Sequence, residues 1–81
     1  MPVSNTPAVE RIARVLAGAR LSANMEGDDC SAGPEVDATW SEHVDEAVAV
    51  LKTLREPDQR MAQAGDPTVW EAMVEAALDG R

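Results

Sequence analysis

The sequence predicts an all-α fold, a small bundle of three main helices and one short helix, on three observations. Apolar residues recur at three-and-four spacing in three separate tracts, and a capping residue stands where each begins, followed by proline in the first and the last. No tract shows the period-two alternation of β-branched residues that a half-buried strand needs. The expected helices span residues 6–21, 37–55, 57–64 and 67–79 of one domain covering 1–81, with a long acidic loop at 22–36.

The first helix follows from Thr6, a good N-cap, and Pro7, which costs nothing at a first helical position because its missing N–H would be unpaired there anyway. Val9, Ile12, Ala13, Leu16 and Ala19 or Arg20 form its buried stripe, while Glu10, Arg11 and Arg14 take other faces. Gly18 should weaken its last turns. The next segment, SANMEGDDCSAGPEV, has no period, two glycines, a proline and the acids Glu26, Asp28 and Asp29. It reads as a disordered or merely connecting loop, long for a compact domain.

Thr39 followed by Glu42 has the capping-box spacing, so the second main helix should start close to that pair. Trp40, His43, Val44, Ala47, Val48, Leu51 and Leu54 form the strongest stripe in the chain. Acids crowd its first turns and Lys52 and Arg55 its last, as the helix dipole favours. Pro57 ends or bends this helix, and a short one to Ala64 should close on Gly65 in the left-handed C-terminal position. Asp66 and Pro67 repeat the cap-plus-proline start, and Val69, Trp70, Met73, Val74, Ala77 and Leu78 make the last apolar face before Gly80.

Composition narrows the function classes. An 81-residue chain whose only aromatics are Trp40 and Trp70 builds a thin core, which small domains often supplement with disulfides, metal or oligomerisation. Cys30 is the only cysteine, so no intrachain disulfide forms and a reduced thiol is expected. Oligomerisation is then the expected supplement. No signal-like start and no apolar run of about 20 residues occurs, which predicts a cytoplasmic protein without membrane association. A net charge of −8 repels phosphate backbones and argues against direct nucleic-acid binding, including by a helix-turn-helix with an acidic recognition helix. The charge is segregated: residues 1–21 carry net +2 and residues 22–81 net −10.

Three fragments, RIARVL at 11–16, the W-x-x-H-x-x-E-A-x-x-V-L-x-x-L-R-E-P run from Trp40 to Pro57, and M-A-Q-A-G with W-E-A-M-V-E-A-A-L between Met61 and Leu78, carry a resemblance. In this order they resemble a family of short, uncharacterised bacterial and prophage-associated helical proteins. The resemblance implies the helical layout and no established activity. It also implies that Trp40, Pro57 and Trp70 are packing positions, and that His43 stands where similar chains often carry Tyr, which is a structural slot.

Few residues point to chemistry. His43 and Glu46 share a helical face, with Glu42 and Asp45 nearby, so His43, Glu46 and Asp45 are the candidates for a divalent metal site. A packed His and dipole-stabilising acids explain the same residues, and no second histidine exists to complete a triad. Cys30 lies beside Asp28 and Asp29, whose charge disfavours the thiolate, so neither nucleophile nor Cys30–His43 pair is expected. Neither register of the Asp28–Asp29 acids fits an EF-hand, and phosphate-binding glycine loops, paired cysteines and hydrolase elbows are absent from the sequence. No catalytic residue and no cofactor is expected.

Three functions remain in order. The first is a non-catalytic interaction module that self-associates, as a dimer, or docks on a protein partner, with Trp40, His43, Trp70, Arg11 and Arg14 as candidate contacts. Next comes an acidic regulatory or inhibitory binder of a basic, nucleic-acid-handling protein. Last is a small metal protein using His43 and its neighbouring carboxylates.

Overall fold

The computed structural model describes residues 3–24 and 32–80. Five helices, α1 (Ala8–Asn24), α2 (Ala32–Thr39), α3 (Val44–Leu54), α4 (Gln59–Ala64) and α5 (Pro67–Asp79), form a small all-α bundle, with a 3-10 turn at Trp40–His43 between α2 and α3. No strand occurs among the described residues. Cys30 and the acids Glu26, Asp28 and Asp29 lie outside them.

Helix α1 begins one residue later than its sequence signal. The Pro7 carbonyl accepts from the Arg11 N–H at 3.1 Å, so Pro7 occupies the N-cap place and Ala8 the first helical position. Thr6 does not cap; its own N–H is held by Ser4 Oγ at 3.1 Å. The helix also runs through Gly18 to Asn24, past the expected end at 21. An interior glycine costs about 1 kcal/mol relative to alanine, and packing offsets that here. A Cβ on Gly18 would lie 3.7 Å from Val36 Cγ2, so the glycine marks where α2 crosses α1.

That crossing corrects the expected loop at 22–36. Ala32–Thr39 is helical, with Pro34 in the first turn, where proline is tolerated because the early N–H groups have no intrahelical acceptor. Glycine and proline thus mark a helix start within what reads as a loop. The second main helix is likewise not continuous from 37 to 55. Thr39 makes no side-chain cap bond; its hydroxyl donates back to the Glu35 carbonyl at 2.7 Å, so the Thr39–Glu42 capping box does not form. The 3-10 turn follows, and regular helix resumes only at Val44.

Helix α4 starts at Gln59, because the Asp58 carboxylate, not Pro57, caps it by accepting from the Met61 N–H at 2.9 Å. Gly65 is extended, with φ −161°, so the left-handed closure is not used. Asp66 and Pro67 do start α5 as cap and first-turn proline, the carboxylate accepting from the Thr68 N–H at 2.9 Å. The Trp70 indole donates to the Leu54 carbonyl at 2.7 Å. It thereby satisfies one of the free carbonyls at the end of α3 and ties α5 to it.

The core is narrow. Val9 and Ala13 of α1, Ala47 and Leu51 of α3, and Val74 and Leu78 of α5 form the buried cluster, and Ala17 is buried further along α1. Three of these seven are alanines, which let α1 and α3 approach closely but bury little apolar area each. Trp40, Val44, Val48 and Trp70 pack against the cluster from partly buried positions. Several expected stripe positions come out exposed: Ala19 and Arg20 alike on α1, Leu54 at the end of α3, and Val69 and Met73 on α5. Helix α1 packs on α2, the 3-10 turn and α3, whereas α5 rests chiefly on α3 and touches α1 lightly. The radius of gyration is 14.6 Å, against about 12 Å for a compact domain of this length.

Candidate functional site

Two polar clusters and one apolar face gather the residues singled out by sequence. The first cluster forms where α1 meets α2 and the 3-10 turn. Arg14 Nε donates to Glu10 Oε2 at 2.8 Å, one helical turn earlier, and Arg14 Nη1 donates to Asp37 Oδ1 on α2. The same guanidinium lies over the Trp40 ring, 5.3 Å from its centroid. Bonding to Asp37 first and Glu10 second raises the Arg14 pKa, so the group is a permanent cation in a structural knot. Two of the three guanidinium nitrogens of Arg14, Nε and Nη1, are thus engaged by the chain's own carboxylates.

The second cluster holds His43. Its Nδ1 lies 2.8 Å from Glu46 Oε1, and the other Glu46 oxygen accepts from Arg20 Nη2 at 2.6 Å. The hydrogen bond to His43, with the Arg20 charge behind it, holds the Glu46 carboxyl below the usual glutamate range. Both carboxylate oxygens are therefore engaged by the protein's own donors. Asp45 is exposed on the next position, and no three His, Cys, Asp or Glu side chains among the described residues gather around a point where a metal ion would sit. His43, with a side chain 15 % exposed, joins the 3-10 turn to α3 and, through Glu46, to α1.

The apolar face is the larger feature. Because Val74 and Leu78 turn α5 into the core while α5 only lightly meets α1, an open trough of about 620 Å³ remains between the two helices. Ala8, Ile12 and Val15 form one wall, Trp70, Met73 and Ala77 the other, and Leu51 and Val74 the floor; Arg11 is its single charged residue. Val15 is 70 % exposed and Met73 62 %. Met73 and Trp70 also border a second trough of about 350 Å³ toward α4, lined by Pro57, Met61 and Val69 and carrying Asp66 as its only charge. Helix α4 has no buried residue, so this second trough stays open. The two troughs share Trp70 and Met73 in their walls.

Of the candidate contacts, the structure therefore brings Arg11 and Trp70 together on this face and places Trp40, Arg14 and His43 in the polar clusters. Val15 is the residue that a single-stripe reading passes over, while Val69 and Met73, expected on a buried stripe, stand exposed on this face instead. Ala8, Ile12 and Val15 do recur at helical spacing as a second apolar line beside the buried one, and that width was the available signal. No described helix is long and apolar enough to cross a membrane. Comparison with protein-family models, with curated proteins and with solved structures finds no match.

Proposed function

We propose that the protein is a non-catalytic interaction module whose working surface is the apolar face between α1, α5 and α4. The observation that carries this reading is the open trough beside exposed Val15, Met73 and Val69, apolar but for Arg11 along its first half. Contiguous apolar surface of this kind is costly to leave in water, and on small proteins it marks a place where another surface docks. The polar clusters support the same reading, since Arg14, Glu46 and His43 are spent on holding helices together.

Met73 replaced by a photo-cross-linking residue tests the reading, with Glu42, exposed on the 3-10 turn, as the control position. The expected result is a discrete protein adduct from Met73 on irradiation in cells, with none from Glu42. Equal labelling at the two positions, or none at either, removes the reading.

The acidic-binder function has a different surface in view, the exposed carboxylates outside this face, and it predicts association that weakens steeply with salt. The metal reading is disfavoured by Glu46, whose oxygens are already held by His43 and Arg20.

A further inference from the structure

We propose that the trough between α1 and α5 binds a monoanionic amphiphile, a single alkyl chain with a carboxylate head, the chain lying between the helices and the head on Arg11. The inference takes one half of the docking face above and names an occupant of another kind, a small molecule. Size points to it. The trough holds about 620 Å³, within the roughly 300–1,000 Å³ of sites that take small ligands. Its α1 wall, from Ala8 to Val15, advances about 10 Å at 1.5 Å per residue, the reach of an extended chain of about eight carbons.

Charge selects the head. Arg11 is the only charged residue lining this trough, and it makes no ion pair among the described residues, whereas Arg14 and Arg20 are held by Glu10, Asp37 and Glu46. A guanidinium beside apolar walls takes a carboxylate through two parallel N–H···O bonds, which are stronger than neutral ones and fix the head's orientation. One cation matches one negative charge. A phosphate head would bring a second charge into the field of a chain carrying net −8, with nothing in the trough to meet it. The walls suit the alkyl chain. Ile12, Val15 and Leu51 are aliphatic, the unbranched Met73 thioether adapts to a flexible guest, and the Trp70 indole N–H is already satisfied by the Leu54 carbonyl.

Decanoate, held below its micelle concentration, is the probe, and amide NMR of the full chain the readout. Binding should be saturable and one to one, with a Kd of about 2 mM or tighter, and the shifts should gather at Ile12, Val15, Trp70 and Met73. Each methylene added between octanoate and decanoate should tighten it by about two- to fourfold. Arg11→Gln should weaken decanoate by about tenfold, and Arg11→Lys, which keeps the charge, by less than about threefold. Val15→Asp sets a carboxylate on the wall and should abolish binding, whereas Ala49→Asp, on an exposed α3 position outside the trough, should leave it unchanged. The inference is overturned by an absence of saturation, by shifts spread away from the trough, or by an Arg11→Gln chain that circular dichroism shows folded and that binds decanoate as tightly as the parent. None of these results touches the docking reading, which fails on the Met73 cross-link alone.

Discussion

Leu51→Ala is the perturbation that best measures how thin this core is. Leu51 is 6 % exposed, lies in the buried cluster beside Val9, Ala13 and Val74, and forms part of the floor of the α1–α5 trough. Truncation removes three carbons, a transfer loss of about 2.4 kcal/mol at roughly 0.8 kcal/mol per methylene. In a sealed core a cavity would add up to about 2 kcal/mol more. Here the trough lies open on one side, so water and neighbouring side chains reach the vacated space and the cost should stay near 2–3 kcal/mol. A core of this size supplies only about 3–5 kcal/mol in total. The variant should therefore be on the edge of unfolding at 25 °C.

Urea unfolding followed by tryptophan fluorescence and by far-ultraviolet circular dichroism measures it. With a slope of about 1 kcal/mol/M for a chain this short, the midpoint should drop by about 2–3 M. Both proteins should be compared at one low concentration, so that association does not add to either. A loss below about 1 kcal/mol with an unchanged slope would show that the cluster is not the core.

Other substitutions test the local readings. Asp58→Ala and Asp66→Ala each remove a carboxylate that accepts a backbone N–H at a helix start, and each should cost about 1 kcal/mol. Thr39→Ala, at a position with no cap bond, should change the urea midpoint by less than about 0.5 kcal/mol equivalent; a cost equal to that of the two aspartates would restore the capping box. Trp70→Phe keeps one aromatic ring but loses the donor to the Leu54 carbonyl together with part of the indole packed against the core, and should cost at least about 1 kcal/mol in the same urea titration. Glu46 is held below the ordinary glutamate range by His43 and Arg20. Its stabilisation should be complete above about pH 4.3, the unfolded value, and fade as pH falls through the lower folded value. Glu46→Gln should accordingly flatten the acid limb of the stability curve, and an unaltered limb would show that the cluster contributes nothing to it.

Much of the architecture was legible in the residues. The stripes of α1, α3 and α5 follow from spacing alone, because helical period fixes which residues share a face. Asp66–Pro67 marked a helix start because cap and first-turn proline act on their own backbone. Signals that depend on a neighbour were misread. Gly33 and Pro34 look like loop punctuation until Val36 is seen packed over Gly18, and Thr39–Glu42 looks like a cap until the Thr39 hydroxyl turns back to Glu35.

The site divides in the same way. Trp70 and Arg11 could be nominated from sequence, but nothing local says that Arg14 is consumed by Asp37, Glu10 and Trp40 while Arg11 stands free of any ion pair among the described residues. The sequence by itself determined an all-α chain with three apolar helix faces, a small core and a large acidic excess, since period, side-chain volume and charge belong to the residues. Only the tertiary structure decided that α5 leans on α3 and meets α1 lightly, and so left Val15 and Met73 exposed along an open apolar trough. How closely two helices approach depends on side chains far apart in the chain meeting in space, and here Ala13 and Ala47 are fully buried in the core where α1 meets α3, whereas α5 meets α1 only lightly.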